Sequence, residues 1–155
     1  MTKNSAISLI ISLLVVFGIS TINRIFRPDK WYQALSKPEW IPPSWLFGVV
    51  WPILYLFMGI SLWLLWKSDH HPLKKLALSC FFLQLLFNGV WSYLFFGIHK
   101  IGFAFMDIVL LGLTILLTIF FSWPVCRMAG TFLTPYLLWI SFASILNFAI
   151  WRLNK

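Results

Sequence analysis

The chain has 155 residues, 61% of them hydrophobic and only 10% charged, whereas a soluble domain is nearer half apolar and a quarter charged. That balance excludes an ordinary water-soluble domain and points to a membrane protein. The net charge of +8 does not point to nucleic acid, because the basic residues sit at the ends of apolar runs and form no continuous basic face.

Five apolar stretches are long enough to cross about 30 Å of hydrocarbon at about 1.5 Å per residue. The first, residues 6–26, follows Lys3 as the core of a signal peptide would. It runs on to Ile25 without an A-x-A cleavage site, so a retained helix is expected. The others are residues 45–66, 76–96, 101–121 and 130–151. All are continuously apolar rather than alternating, which argues against a β-barrel. The expected fold is all-α: one transmembrane domain over residues 1–155, a five-helix bundle with a structured first inter-helix loop.

That loop contains "WYQALSKPEWIPPSW", with three of the chain's ten tryptophans and three of its eight prolines. Proline fixes φ, so Pro42 and Pro43 order the segment at little entropic cost. A stiff aromatic connector reads as a lid or as an anchor lying on lipid headgroups. Five spans put the termini on opposite sides. The face of the first and third connectors and the C-terminus carries Arg24, Arg27, Lys30, Lys37, Lys100, Arg152 and Lys155, seven cations against five on the other face. The positive-inside rule then points to a cytosolic C-terminus.

Inside the spans, polar residues fall in stripes at helical spacing. Cys80, Gln84, Asn88 and Ser92 make one on the third span. Asp107, Leu111, Thr114 and Thr118 make another on the fourth, and Asp107 is the only acid within a span. Tyr136, Trp139, Ala143 and Asn147 share a side of the fifth. An ionisable group at membrane depth faces the bundle interior or water. Trp51, Trp91 and Trp139 lie deeper than an interfacial belt requires. Because the helices alternate in direction, Trp51, Asn88, Trp91, Asp107 and Asn147 all fall within about 8–12 Å of the face bearing the aromatic connector. The expectation is an aromatic cavity in that half of the membrane, suited to a large apolar ligand.

No metal site is expected. Cys80 and Cys126 lack zinc or disulfide spacing. His70 and His71 lie on the opposite face without further ligands, and His99 is expected to be a solvated turn residue.

"WYQALSKPEWIPPSWLFGVVWPILY", "NGVWSYLFF", the acid of "MDIVLL" and "PYLLWISFASILN" together resemble the TspO/MBR family, the tryptophan-rich sensory proteins related to the mitochondrial translocator protein. The resemblance covers nearly the whole chain. It implies a five-helix bundle, commonly a homodimer, in a membrane that is expected to be bacterial. The implied ligands are porphyrins such as protoporphyrin IX and haem, with no obligatory cofactor. By motif, Tyr32 and Pro42 would cover the pocket and Trp51 and Trp139 would wall it. Asn88, Trp91 and Asp107 would line it, with Ala143 and Asn147 beside Trp139. Propionates would lie near Arg24, Lys30 or Lys37. The resemblance also implies two alternatives: light-dependent porphyrin degradation using Trp51 and Trp139, and transport of tetrapyrroles or sterols. Transport would predict broken helices and inverted repeats, and neither is visible. The animal sterol pattern wants a tyrosine where this chain has Phe148, ahead of Arg152, so high-affinity cholesterol binding by this segment is not expected.

Overall fold

The computed structural model describes residues 3–155. Helix α1 spans Lys3–Asn23, and a short α2, Lys30–Ala34, lies in the first connector. Helix α3 covers Ser44–Lys67 and α4 covers Lys74–Ser92, continuing into a π-helical turn at Tyr93–Gly97. Helices α5, Ile101–Ser122, and α6, Arg127–Leu153, complete the chain. All but α2 belong to segments long and apolar enough to cross a membrane. Helices satisfy their own backbone hydrogen bonds, which hydrocarbon demands of a spanning segment. The protein is an integral membrane helical bundle.

Helix ends follow local chemistry. The first span was expected to reach residue 26, yet α1 stops at Asn23. The Ile25 amide bonds back to the Ile22 carbonyl in a tighter turn that ends the α-helical ladder, and Asn23 turns its amide toward Tyr55 and Asn88. Helix α3 starts directly after Pro43, whose φ of −61° and ψ of 144° are extended. Its far end is held by Lys74, whose Nζ donates to the carbonyls of Trp66 (3.0 Å) and Ser68 (2.6 Å).

The spanning helices pack in a ring, α1 against α3, α3 against α6, α6 against α5, α5 against α4, and α4 back against α1. The polar stripes of α4 and α5 face inward: Gln84, Asn88, Asp107 and Thr118 are all buried. Thr118 and Ser122 donate to carbonyls four residues back, Asn88 bonds to other helices, and the Gln84 amide and Asp107 Oδ2 have no partner among the described residues. One core cluster, around Met58, Leu62, Phe81, Ile115 and Leu133, fills the half of the ring away from the first connector. A second, around Phe95, Ala104, Leu146 and Ile150, receives Trp31, Tyr32, Leu35 and Ile41 of the connector. The connector is thus docked on the bundle. Two small residues, Ala77 and Gly89, lie at helix contacts within the bundle. Ala77 is fully buried, and the Cα hydrogens of Gly89 face Ile19 and Asn23 of α1.

Candidate functional site: an aromatic cavity beneath the first connector

Between the two core clusters lies a cavity of about 670 Å³, bordered by α1, α3, α4, α5, α6 and the first connector. Its floor is a closed polar network from four helices. Asn88 Nδ2 donates to Tyr136 Oη at 2.8 Å. Tyr55 Oη donates to Asn88 Oδ1 at 2.9 Å. Asn23 Nδ2 donates to both Tyr55 Oη and Asn88 Oδ1, each at 2.9 Å. In a membrane interior such groups have little water to turn to, so they find one another.

The walls are indole and phenyl rings. Trp51 stacks on Tyr55, one helical turn below it, with centroids 5.5 Å apart and planes 29° apart. It meets Tyr136 edge-on at 6.3 Å. Trp139 meets Phe47 edge-on at 5.5 Å. These offset and edge-to-face arrangements suit the ring quadrupole. Trp91 donates from Nε1 to Asn147 Oδ1 at 2.9 Å, and Asn147 Nδ2 donates to the Ile101 carbonyl at 3.1 Å. That pair ties α4 to α6 and to the start of α5.

The connector forms the roof. Tyr32, Ile41 and Pro42 border the cavity. The Tyr32 ring lies edge-on to Phe96 at 5.4 Å, and Lys37 Nζ sits 4.6 Å above its centroid. Burial pushes the Tyr32 phenol above its ordinary pKa. Asp29 accepts from the Tyr32 amide at 3.0 Å and so caps α2. That bond, with the His99 ring nearby, holds the Asp29 carboxyl below its usual range. Arg24, Arg27 and Lys37 border the mouth, and no carboxylate lines the cavity.

Of the residues expected at the site, Tyr32, Pro42, Trp51, Asn88, Trp91, Trp139, Ala143 and Asn147 all border this cavity. Asp107 does not. It is buried, and α5 instead presents Ile108 and Leu111 to the cavity. One α-helical step rotates a side chain by about 100°, enough to take Asp107 out of the wall that Ile108 joins. Lys30 is likewise outside the lining, while Arg27 is in it. Asn23, Tyr55 and Phe47 were not singled out from sequence. Tyr55 carried a usable signal, since it lies four residues after Trp51 and therefore shares its face. Asn23 looked like an ordinary interfacial polar residue at a span end. No group of three or more His, Cys, Asp or Glu residues suited to a metal occurs among the described residues.

Residues 7–152 match the TspO/MBR family. The chain belongs to that family. It is 38% identical over 151 residues to the tryptophan-rich protein TspO of Archaeoglobus fulgidus, covering 96% of this chain and 97% of that one. It is 38% identical over 131 residues to protein CrtK of Rhodobacter capsulatus, covering 84% and 82%. Human translocator protein is 36% identical over 127 residues, covering 81% and 75%. In this TspO/MBR chain the tryptophan-rich block from Trp31 to Tyr55 supplies both the roof and one wall of the cavity.

Proposed function

We propose that the chain is a membrane receptor for flat, amphipathic, carboxylate-bearing ligands of the porphyrin class, protoporphyrin IX and haem among them. The observation that carries this reading is the cavity itself. Its volume of about 670 Å³ falls within the range of small-molecule sites. Trp51 and Trp139 border it from α3 and α6, and indole faces stack well on a conjugated macrocycle. Arg24, Arg27 and Lys37 at the mouth suit the propionates, which stay near water.

Titration of purified protein with protoporphyrin IX, followed by tryptophan quenching, tests the reading. Trp51→Phe with Trp139→Phe should weaken binding by about tenfold while leaving the helical content intact, because each lost stacking face is worth roughly 0.5–1.5 kcal/mol. The dimethyl ester of protoporphyrin should bind less tightly than the free acid. Equal affinity of the double variant and the parent protein would remove the cavity from consideration. A second reading is favoured by the same two indoles: photo-oxidation of the bound porphyrin. Porphyrin loss under illumination that is faster in the parent protein than in the double variant would support it.

A further inference from the structure

The roof over the cavity is fastened at two points outside the cavity wall. The first is the turn between α4 and α5. His99 there has φ of 57°, the one non-glycine residue at positive φ among those described. Histidine enters that left-handed region more often than most side chains, though at a steric cost that glycine avoids, and here two contacts hold it there. Its imidazole stacks on the Trp31 indole with centroids 3.9 Å apart and planes 17° apart. Its Nε2 lies 3.4 Å from Asp29 Oδ2. The same carboxylate caps α2 through its other oxygen, which accepts from the Tyr32 amide. One ring therefore holds both the cap and the first turn of the helix that presents Tyr32 to the cavity. The second point is the end of α6. The Ser36 amide donates to Asn154 Oδ1 at 3.0 Å, and Asn154 Nδ2 donates to the Ser36 carbonyl at 2.9 Å. This is a two-bond pairing between residues 118 positions apart, anchored by a further bond from Asn154 Nδ2 to Ile150 O at 2.8 Å.

We propose that these are two clasps on a movable cover: His99 gripping Trp31 and Asp29, and Asn154 gripping Ser36. Their release sets the rate at which the cavity opens. Both clasps are solvent-exposed polar or stacked contacts, the kind that opens locally at low cost. Both lie outside the cavity lining, so ligand need not touch them. The segment they hold has a hinge of its own in the non-helical stretch Arg24–Asp29, while Pro42–Pro43, fixed in φ, carry it stiffly into α3.

The inference on gating rests on the receptor reading; the inference on fastening does not. The test therefore has two arms on full-length protein in detergent or nanodiscs. The variants are His99→Gly, Asn154→Ala and the pair. His99→Gly removes the stack while relieving the left-handed backbone, so thermal stability of the bundle should hold. In the ligand-free arm, amide hydrogen exchange is read at Tyr32, Gln33 and Ser36. His99→Gly should speed exchange at Tyr32 and Gln33, Asn154→Ala should speed it at Ser36, and the pair should speed all three. Exchange unchanged in the pair overturns the clasps, whatever the ligand does. In the ligand arm, stopped-flow quenching by protoporphyrin IX should show both association and dissociation about fivefold faster in the pair, with little change in Kd, because the clasps differ between open and closed covers only. Faster amide exchange with unaltered porphyrin rates overturns the gating. Absence of porphyrin binding in the parent protein sinks the receptor reading and the gating with it, and leaves the exchange arm to decide the clasps.

Discussion

Asn88 sits where three other helices meet α4 through hydrogen bonds. It is 2% exposed, and its amide joins three partners on three other helices: Asn23 of α1, Tyr55 of α3 and Tyr136 of α6. Replacing it with alanine strands the Tyr136 hydroxyl and removes the acceptor shared by Asn23 and Tyr55. An unsatisfied buried polar group costs about 1–3 kcal/mol, and hydrogen bonds between transmembrane helices average about 0.6 kcal/mol each. Asn88→Ala should therefore destabilise the protein by about 1–3 kcal/mol in detergent-induced unfolding. Tyr55→Phe made on top of Asn88→Ala should cost less than it does alone, because the bond it deletes is already gone. Additive losses would show that Asn88 and Tyr55 are not coupled. Asn88 was legible in the sequence as a polar residue on an inward stripe, but its partners were not. Asn23 is 32 residues and a whole connector away from Tyr55, and periodicity reports a face without reporting what lies opposite it.

At the scale of helices, the spans were legible almost to their ends, because about twenty continuous apolar residues have few alternatives to a membrane helix. Helix α2 and the π-helical turn were not. Five residues are too few to show a period, and α2 exists because Asp29 caps it and Phe95 and Phe96 receive Tyr32. How closely two helices approach is a further property that spacing alone hides, and two glycines separate the cases. A Cβ at Gly59 would stand 2.5 Å from Leu13 Cδ2 and 3.3 Å from Leu13 Cα, so here α1 and α3 are nearly backbone to backbone, as small residues permit in membranes. A Cβ at Gly89 would meet Ile19 at 3.9 Å and Asn23 Oδ1 at 4.0 Å, ordinary contact distances. Gly59→Ala should push α1 from α3 and cost about 1–3 kcal/mol. Gly89→Ala should be neutral or stabilising by up to about 1 kcal/mol, through helix propensity and lost chain entropy. Thermal unfolding of the two variants side by side checks the contrast. Equal losses would mean that the glycines act through propensity alone.

For the whole molecule, the alternation of five helices is enough to collect Trp51, Trp91 and Asn88 in one half of the membrane from sequence alone. It could not give helix rotation, which is why Asp107 was expected in the cavity wall and instead lies outside it while Ile108 borders the cavity. The same alternation bears on which compartment the cavity serves. The roof, the His99 turn and Asn154 lie at one end of the bundle, with Arg24, Arg27, Lys30, Lys37, Lys100, Arg152 and Lys155 in its flanking segments. The opposite end has Lys3, Lys67, Lys74, Lys75 and Arg127. Cations near span ends orient a membrane protein through the energy of translocating them, and the larger count lies with the roof. The expected topology puts roof and C-terminus in the cytosol, so that ligand reaches the cavity from the compartment where the cations at its mouth also stand. A C-terminal green fluorescent protein fusion should fluoresce, and a C-terminal alkaline phosphatase fusion should be inactive. The margin is two cations, so moving it is feasible: replacing Lys30, Lys100 and Lys155 with glutamine leaves the cavity lining untouched and reverses the count. If charge sets the orientation, the two reporters should exchange their signals in that variant. Reporters that keep their signals would assign the orientation to something other than the flanking cations.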